Sequence, residues 1–311
     1  MASAESTEEA VDAARKSDVI VAVVGITAQL EGEESEASDP GFFGGDRTDI
    51  TLPATQHQLL EALAATGKPL VVVLTSGSAM AINWANEHAA AILEAWYPGE
   101  EGGNAVADVL SGAYNPAGRL PVTFYKSVAQ LPPFTDYNMA NRTYRYLNET
   151  PLYPFGFGLS YSTFSYSEPL VASAQSGAQG SAADATSFAG DSTLTVSAKV
   201  TNTSSVAGDE VVELYVSHPG VDGAPIRALG GFQRIHLGAN ASQKVDFTLT
   251  PRELSIVNNA GQRLVPTGPV ELWVGSSQPA KASKTPSPGQ PAVSAGVPLK
   301  FTITTRETLP N

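Results

Sequence analysis

The chain has 311 residues, 42% of them hydrophobic and 16% charged, and a formal net charge of −13. That length predicts two domains, and the composition is that of a folded protein rather than a disordered one. The acidity excludes a phosphate-neutralising nucleic-acid surface and a polybasic membrane patch, and the absence of cysteine excludes disulfides, thiolate nucleophiles and Cys-based metal sites.

The start, MASAESTEEAVDAARKSDV, has neither a basic stretch nor an apolar run, so it does not read as a signal peptide. It predicts an amphipathic helix with Ala10, Val11 and Ala14 on one side, and a chain that starts this way reads as a cut or processed piece. No apolar run approaches the ~18–20 residues of a membrane-spanning helix.

DVIVAVVG (18–25) is a continuous apolar run, the pattern of a parallel strand covered on both faces. TLPATQHQLLEALAATG (51–67) predicts a helix with Pro53 in its first turn, Leu59, Leu60 and Leu63 as its apolar stripe, and Gly67 as its stop. PLVVVLTSG (69–77) predicts a second buried strand, 82–89 a short helix, AAILEAWYPG (90–99) a third strand and 102–112 a helix ending at Gly112. Strand and helix in alternation imply a mainly parallel sheet with helices on both faces, an α/β sandwich.

This first domain is placed at residues 1–125. Residues 126–165 are rich in Pro, Gly and aromatics and predict an ordered connector, since floppy linkers are poor in Tyr and Phe. The rest, 166–311, predicts an antiparallel sandwich of immunoglobulin or fibronectin III type, with short alternating strands between turn signals. Two low-complexity stretches, 171–191 and the small-residue run before LKFTITT, read as loops, the first of them mobile.

The candidate chemistry follows the first strand. In LEGEESE, Glu31, Glu33, Glu34 and Glu36 crowd together just past Gly25, and parallel sheets bind ligands beyond the carboxyl ends of their strands. A crowd of like charges raises the pKa of one carboxyl, as a general acid requires; an acidic loop that is merely solvated would keep ordinary values. Other chemistries find no support: TSGSA is not a nucleophile elbow, there is no Gly-rich dinucleotide fingerprint or P-loop, and His57, His88, His218 and His236 lack metal-ligand spacing. The acidic loop lacks EF-hand spacing, and sequons at Asn141, Asn148, Asn202 and Asn240 matter only in a glycosylating secretory host.

The runs GGDRTDITLPATQHQLLEAL, KPLVVVLTSGSAMAINWA, AILEAWYPGEEGGNAVADVLSGAYNPAGRLPVTFY and YRYLNETPLYPFGFGLSYSTF, with DVIVAVVG, LEGEE and the closing sandwich, are spread over nearly the whole chain. Together they resemble the C-terminal half of family 3 glycoside hydrolases, the β-glucosidases and β-xylosidases. The resemblance implies a preceding (β/α)8 barrel that supplies the nucleophilic aspartate, an α/β sandwich whose loop supplies the acid/base, and a fibronectin III-like domain. It implies an oligosaccharide or glycoside substrate, no cofactor, and a secreted or periplasmic setting. The family's acid/base position matches Glu31, with Glu33 the second candidate and Glu34 a weaker one; residues 35–45 lengthen this loop relative to relatives.

Around that loop, Asp46 and Arg47 are expected to clamp it rather than to react. Phe42 and Phe43, with Trp96 and Tyr97, are candidates for stacking on sugar faces, with packing the competing role for Trp96. Glu100 and Glu101 read as helix N-terminal acids. Two functions fit: the acid/base half of a retaining exo-acting β-glycosidase, inactive without its barrel, or a non-catalytic carbohydrate-binding or assembly module. A large exposed apolar face would favour the first.

Overall fold

The computed structural model describes residues 4–31, 40–44, 46–173, 179–181, 186–279 and 295–310. Two compact units emerge. The first comprises 1–114, 123–136 and 151–153, and the second 115–122, 137–150 and 154–311. The stretch expected to be a separate connector is therefore divided between the units.

The first unit runs α1 (Ala4–Arg15), β1 (Ile20–Gly25), β2 (Phe42–Phe43), β3 (Asp46–Arg47), α2 (Ala54–Ala64), β4 (Leu70–Thr75), α3 (Asn83–His88), β5 (Ala91–Glu94) and α4 (Gly102–Ser111). Strands β1, β4 and β5 form a parallel sheet in the order β1-β4-β5, with Ile20 opposite Leu70 and Val71 opposite Ala91. Helix α2 delivers Leu60 and Leu63 to the core, where they meet Ile20, Ala22 and Val24 of β1 and Leu70, Val72 and Leu74 of β4. Gly112 ends α4 in the left-handed region at φ 78°, as its place after the apolar run predicts.

Among the described residues, β1 is covered on one face rather than on both. Its residues alternate, and Val19, Val21 and Val23 stand 49%, 46% and 66% exposed. Among the described residues β1 pairs only with β4, at the edge of the sheet. Helix α4 buries little besides Gly102, and Leu110 is exposed. The α/β sandwich read from the sequence holds, with β1 leaving one face exposed among the described residues.

In the second unit the strands are β6 (Phe164–Ser173), β7 (Gln179–Ser181), β8 (Thr186–Phe188), β9 (Leu194–Asn202), β10 (Gly208–Ser217), β11 (Ala228–Leu237), β12 (Ser242–Leu249), β13 (Ile256–Val257), β14 (Arg263–Val265), β15 (Gly268–Gly275), β16 (Gly296–Ile303) and β17 (Glu307–Leu309). A five-stranded sheet, β11-β10-β15-β16-β8, and a four-stranded sheet, β12-β9-β6-β7, share one core that includes Val196, Val200, Leu214, Leu249, Leu272 and Phe301. The strands β13, β14 and β17 form a small third sheet.

Alternation explains the core: in β12, Val245, Phe247 and Leu249 point inward between exposed neighbours. Part of the expected mobile loop 171–191 is ordered sheet, because β8 pairs in parallel with β16 and β7 extends β6. The rest of that stretch, and most of the second low-complexity run, lie outside the described residues.

Candidate active site

The carboxyl ends of the three parallel strands converge on Glu31. Strand β1 ends at Gly25, whose φ of 141° excludes other residues, and a Cβ there would meet Thr75 O at 1.9 Å. Gln56 on α2 grips both polar groups of that glycine: Gly25 N–H donates to Gln56 Oε1 at 2.7 Å, and Gln56 Nε2 donates to Gly25 O at 2.8 Å. A turn then follows in which Leu30 and Glu31 N–H donate to Thr27 O at 3.0 and 3.2 Å, which aims Glu31 back across the sheet end.

There the carboxylate is surrounded by donors. Its Oε1 accepts from the Ser78 hydroxyl, and its Oε2 accepts from the Tyr97 hydroxyl and from Gly77 N–H at 2.8 Å. Arg47 Nη1 lies 3.9 Å from Oε1. Ser78 and Gly77 follow β4, and Tyr97 follows β5, so each strand end contributes. A Cβ at position 77 would fall 2.7 Å from Glu31 Oε2 and 2.8 Å from the Tyr97 ring, so a larger residue would displace one of them.

Burial pushes the Glu31 carboxyl up, but the hydrogen bonds from Ser78, Tyr97 and Gly77, with the Arg47 charge, outweigh it and hold the group below the usual range. Tyr97 moves the other way, to about 12, through burial and through its hydrogen bond to an anion. This runs against the expectation that crowding raises an acid's pKa in this loop, so far as Glu31 is concerned. Glu33, Glu34 and Glu36 lie outside the described residues.

Arg47 fastens the region. Its Nε donates to Asp49 O at 2.9 Å, its Nη1 to Ser78 Oγ at 2.9 Å, and its guanidinium sits 5.4 Å from the Phe42 ring centroid. Asp46 is exposed and pairs through its backbone with Phe43 across the β2–β3 hairpin. The carboxylate that Arg47 pairs with is that of Glu31. Phe42 packs against the core, whereas Phe43 is 78% exposed.

Trp96 is half-buried, its ring edge-on to Phe124 at 6.0 Å, in keeping with packing. Glu101 stands at the N-cap of α4 and accepts from Asn104 Nδ2 at 2.6 Å, while Glu100 is exposed. Sequence reasoning did not single out Gln56, Ser76, Gly77, Ser78 or Glu94. Small residues directly after a buried strand, as in LTSGS, and a lone acid ending another, as in AILEA, are the signals that point to them.

The comparisons with known proteins agree on one family. The family model "Glycosyl hydrolase family 3 C-terminal domain" matches residues 2–161, and "Fibronectin type III-like domain" matches 210–278. A xylan 1,4-beta-xylosidase of Xylanibacter ruminicola is 44% identical over 74% of this chain and 25% of its own length. A beta-xylosidase of Formosa agariphila is 40% identical over 92% of this chain and 37% of its own. A solved β-glucosidase from Erythrobacter marinus superposes with a TM-score of 0.74 at 33% identity, covering 96% of this chain and 36% of that one. The chain thus spans roughly a quarter to two fifths of the relatives it matches.

Proposed function

Because the chain belongs to glycosyl hydrolase family 3, we propose that it supplies the acid/base part of a retaining, exo-acting β-glycosidase that removes terminal β-D-xylosyl or β-D-glucosyl residues. A (β/α)8 barrel, as a domain or a separate chain, brings the nucleophile. The observation that carries this reading is the carboxylate of Glu31, held where three parallel strands end and where the acidic loop begins.

Retaining hydrolysis needs two carboxyl groups roughly 5–5.5 Å apart, one attacking the anomeric carbon and one giving a proton to the leaving oxygen and later taking one from water. Glu31 is the first candidate for the second role and Glu33 the next. The donors around Glu31 set a condition on that order. They favour its anion, which suits the water-activating half-reaction, but proton donation requires Tyr97 or Ser78 to withdraw as substrate binds. If they stay, Glu31 anchors the loop and Glu33 carries the proton. Phe43, exposed on the β2–β3 hairpin, is the candidate to stack on a sugar, and Arg47 lies over the ring of its neighbour Phe42.

The exposed valines of β1 support a partner: an edge strand with bare Val19, Val21 and Val23 is the kind of surface another domain covers. The test is hydrolysis of p-nitrophenyl β-xyloside and β-glucoside by this chain alone and by the chain joined to a family barrel, each with Glu31→Gln and Glu33→Gln. Activity is expected only with the barrel. Its collapse in one variant assigns the acid/base, and turnover by the chain alone refutes the reading. An inactive assembly, shown by size exclusion to have formed, favours a carbohydrate-binding or assembly module.

A further inference from the structure

Glu94 is the last residue of β5, and its carboxyl is buried under the Glu31 cluster. Its Oε1 accepts Trp96 N–H at 3.0 Å and lies 3.5 Å from Ser76 Oγ. Its Oε2 is buried and has no hydrogen-bond partner among the described residues. A bare, buried oxygen is tolerable on a neutral acid and costly on an anion. Burial accordingly pushes Glu94 up to about 7; the Trp96 N–H and Ser76 pull it down, and the charge of Glu31 raises it further.

The residue it holds is strained. Trp96 has φ 54°, the left-handed region that a bulky side chain occupies only when its surroundings impose it. The tie to Glu94 on one side and the Phe124 ring on the other impose it. That turn sends the next residue, Tyr97, onto Glu31 Oε2.

We propose that Glu94 is a positioning residue for the Glu31 site: its hydrogen bond to Trp96 N–H fixes the Trp96 turn and so delivers Tyr97 to Glu31, and on losing its proton to solvent its charge opposes the Glu31 carboxylate and loosens that contact. Among the described residues, the titratable and charged groups around it are Glu31 from the loop after β1, Arg47 from β3 on the far side of Glu31, and Tyr97 from its own segment; the turn after β4 presents Ser76. The consequence for hydrolysis, a site that loses its Tyr97–Glu31 contact above neutral pH, rests on the function proposed above. The geometry and its test do not.

The experiment is a pH titration of the glutamate side-chain carboxyl carbons by ¹³C NMR on the whole chain, with Glu31→Gln used to assign the Glu31 signal. In the parent, Glu94 should titrate near neutrality, and the Glu31 signal should show a second inflection at the same midpoint. In Glu94→Gln, which keeps shape and neutrality, that inflection should vanish. A parent without the inflection, or an inflection that survives Glu94→Gln, overturns the proposal. Should Glu94→Gln not fold, Tyr97→Phe answers in its place: Glu94 still titrates, and the Glu31 inflection should shrink at least twofold. An unchanged inflection there overturns it as well.

Discussion

Two carboxylates in this chain meet an arginine and a tyrosine, and they are driven in opposite directions. In the first unit Glu31 faces Arg47, Tyr97, Ser78 and Gly77 at the open end of a sheet and is held below the usual carboxylate range. In the second unit Glu210 of β10 takes Arg119 Nη2 at 2.8 Å and the Tyr166 hydroxyl at 2.6 Å, yet burial still raises it. The arginine and tyrosine recur, but Glu31 has two further donors, the Ser78 hydroxyl and Gly77 N–H, and is less deeply buried. Glu210 and the Arg119 side chain are 1% and 8% exposed, and desolvation there exceeds what two good donors return. At Glu31, with more donors and less burial, the donors win. One arrangement suits a structural tie and the other a group whose charge has to change in use.

The largest effect should come from breaking the buried pair. Arg119→Ala leaves Glu210 uncompensated and removes the hydrogen bond to Ser276 O. It should cost the second unit about 3–5 kcal/mol in chemical denaturation. A loss under ~1 kcal/mol would mean that Glu210 simply takes up a proton, and the contrast with Glu31 would fail.

Next comes pH. Glu213, beside Glu210, is raised by burial to about 7, although the Tyr215 hydroxyl at 2.6 Å pulls the other way. Its folded form binds the proton more tightly than its unfolded form. Its contribution is therefore complete below the ordinary value of 4.5 and is lost as pH rises through about 7. Glu213→Gln should remove a loss on the order of 3 kcal/mol from the stability profile of the second unit between those limits. Glu31 has the opposite sign: its lowered pKa adds stability above the ordinary range that fades as pH falls through the folded value. Glu31→Gln should flatten the acid side alone.

Smaller still, Tyr97→Phe removes one donor from a partly solvated anion and should cost about 1 kcal/mol while raising the Glu31 titration midpoint, read by NMR. Smallest is Lys300→Ala. Its ion pair with Glu271 at 2.7 Å is exposed on both sides, and the change should fall within ~0.5 kcal/mol, below the scatter of most denaturation curves.

The alternation of strand and helix in the first unit was legible because VIVAVVG, LVVVLT and AILE are short apolar runs separated by helices with clear stops. The period-two strands of the second were legible for the complementary reason. What the pattern could not convey was exposure: VIVAVVG reads the same whether its second face is covered or bare. Nor could it foresee order in 171–191, where β8 is recruited by pairing with β16 more than a hundred residues away, a tertiary effect that local composition does not encode. At the site, the position of Glu31 beyond a strand end followed from topology. Its ionisation did not, because Ser78 and Tyr97 lie 47 and 66 residues downstream. The Asp46–Arg47 pair looked like a self-contained clamp because the two are adjacent in sequence; in space the arginine reaches over to Ser78 and Glu31.

The division of residues between the units also bears on how such proteins can be recombined. The chain changes unit between 114 and 115, 122 and 123, 136 and 137, 150 and 151, and 153 and 154. A single crossover anywhere in that stretch would give hybrids in which at least one unit draws its pieces from both parents. The two units are therefore expected to be inherited and exchanged together, and chimeras made between relatives should fold best when 115–153 travels whole with both.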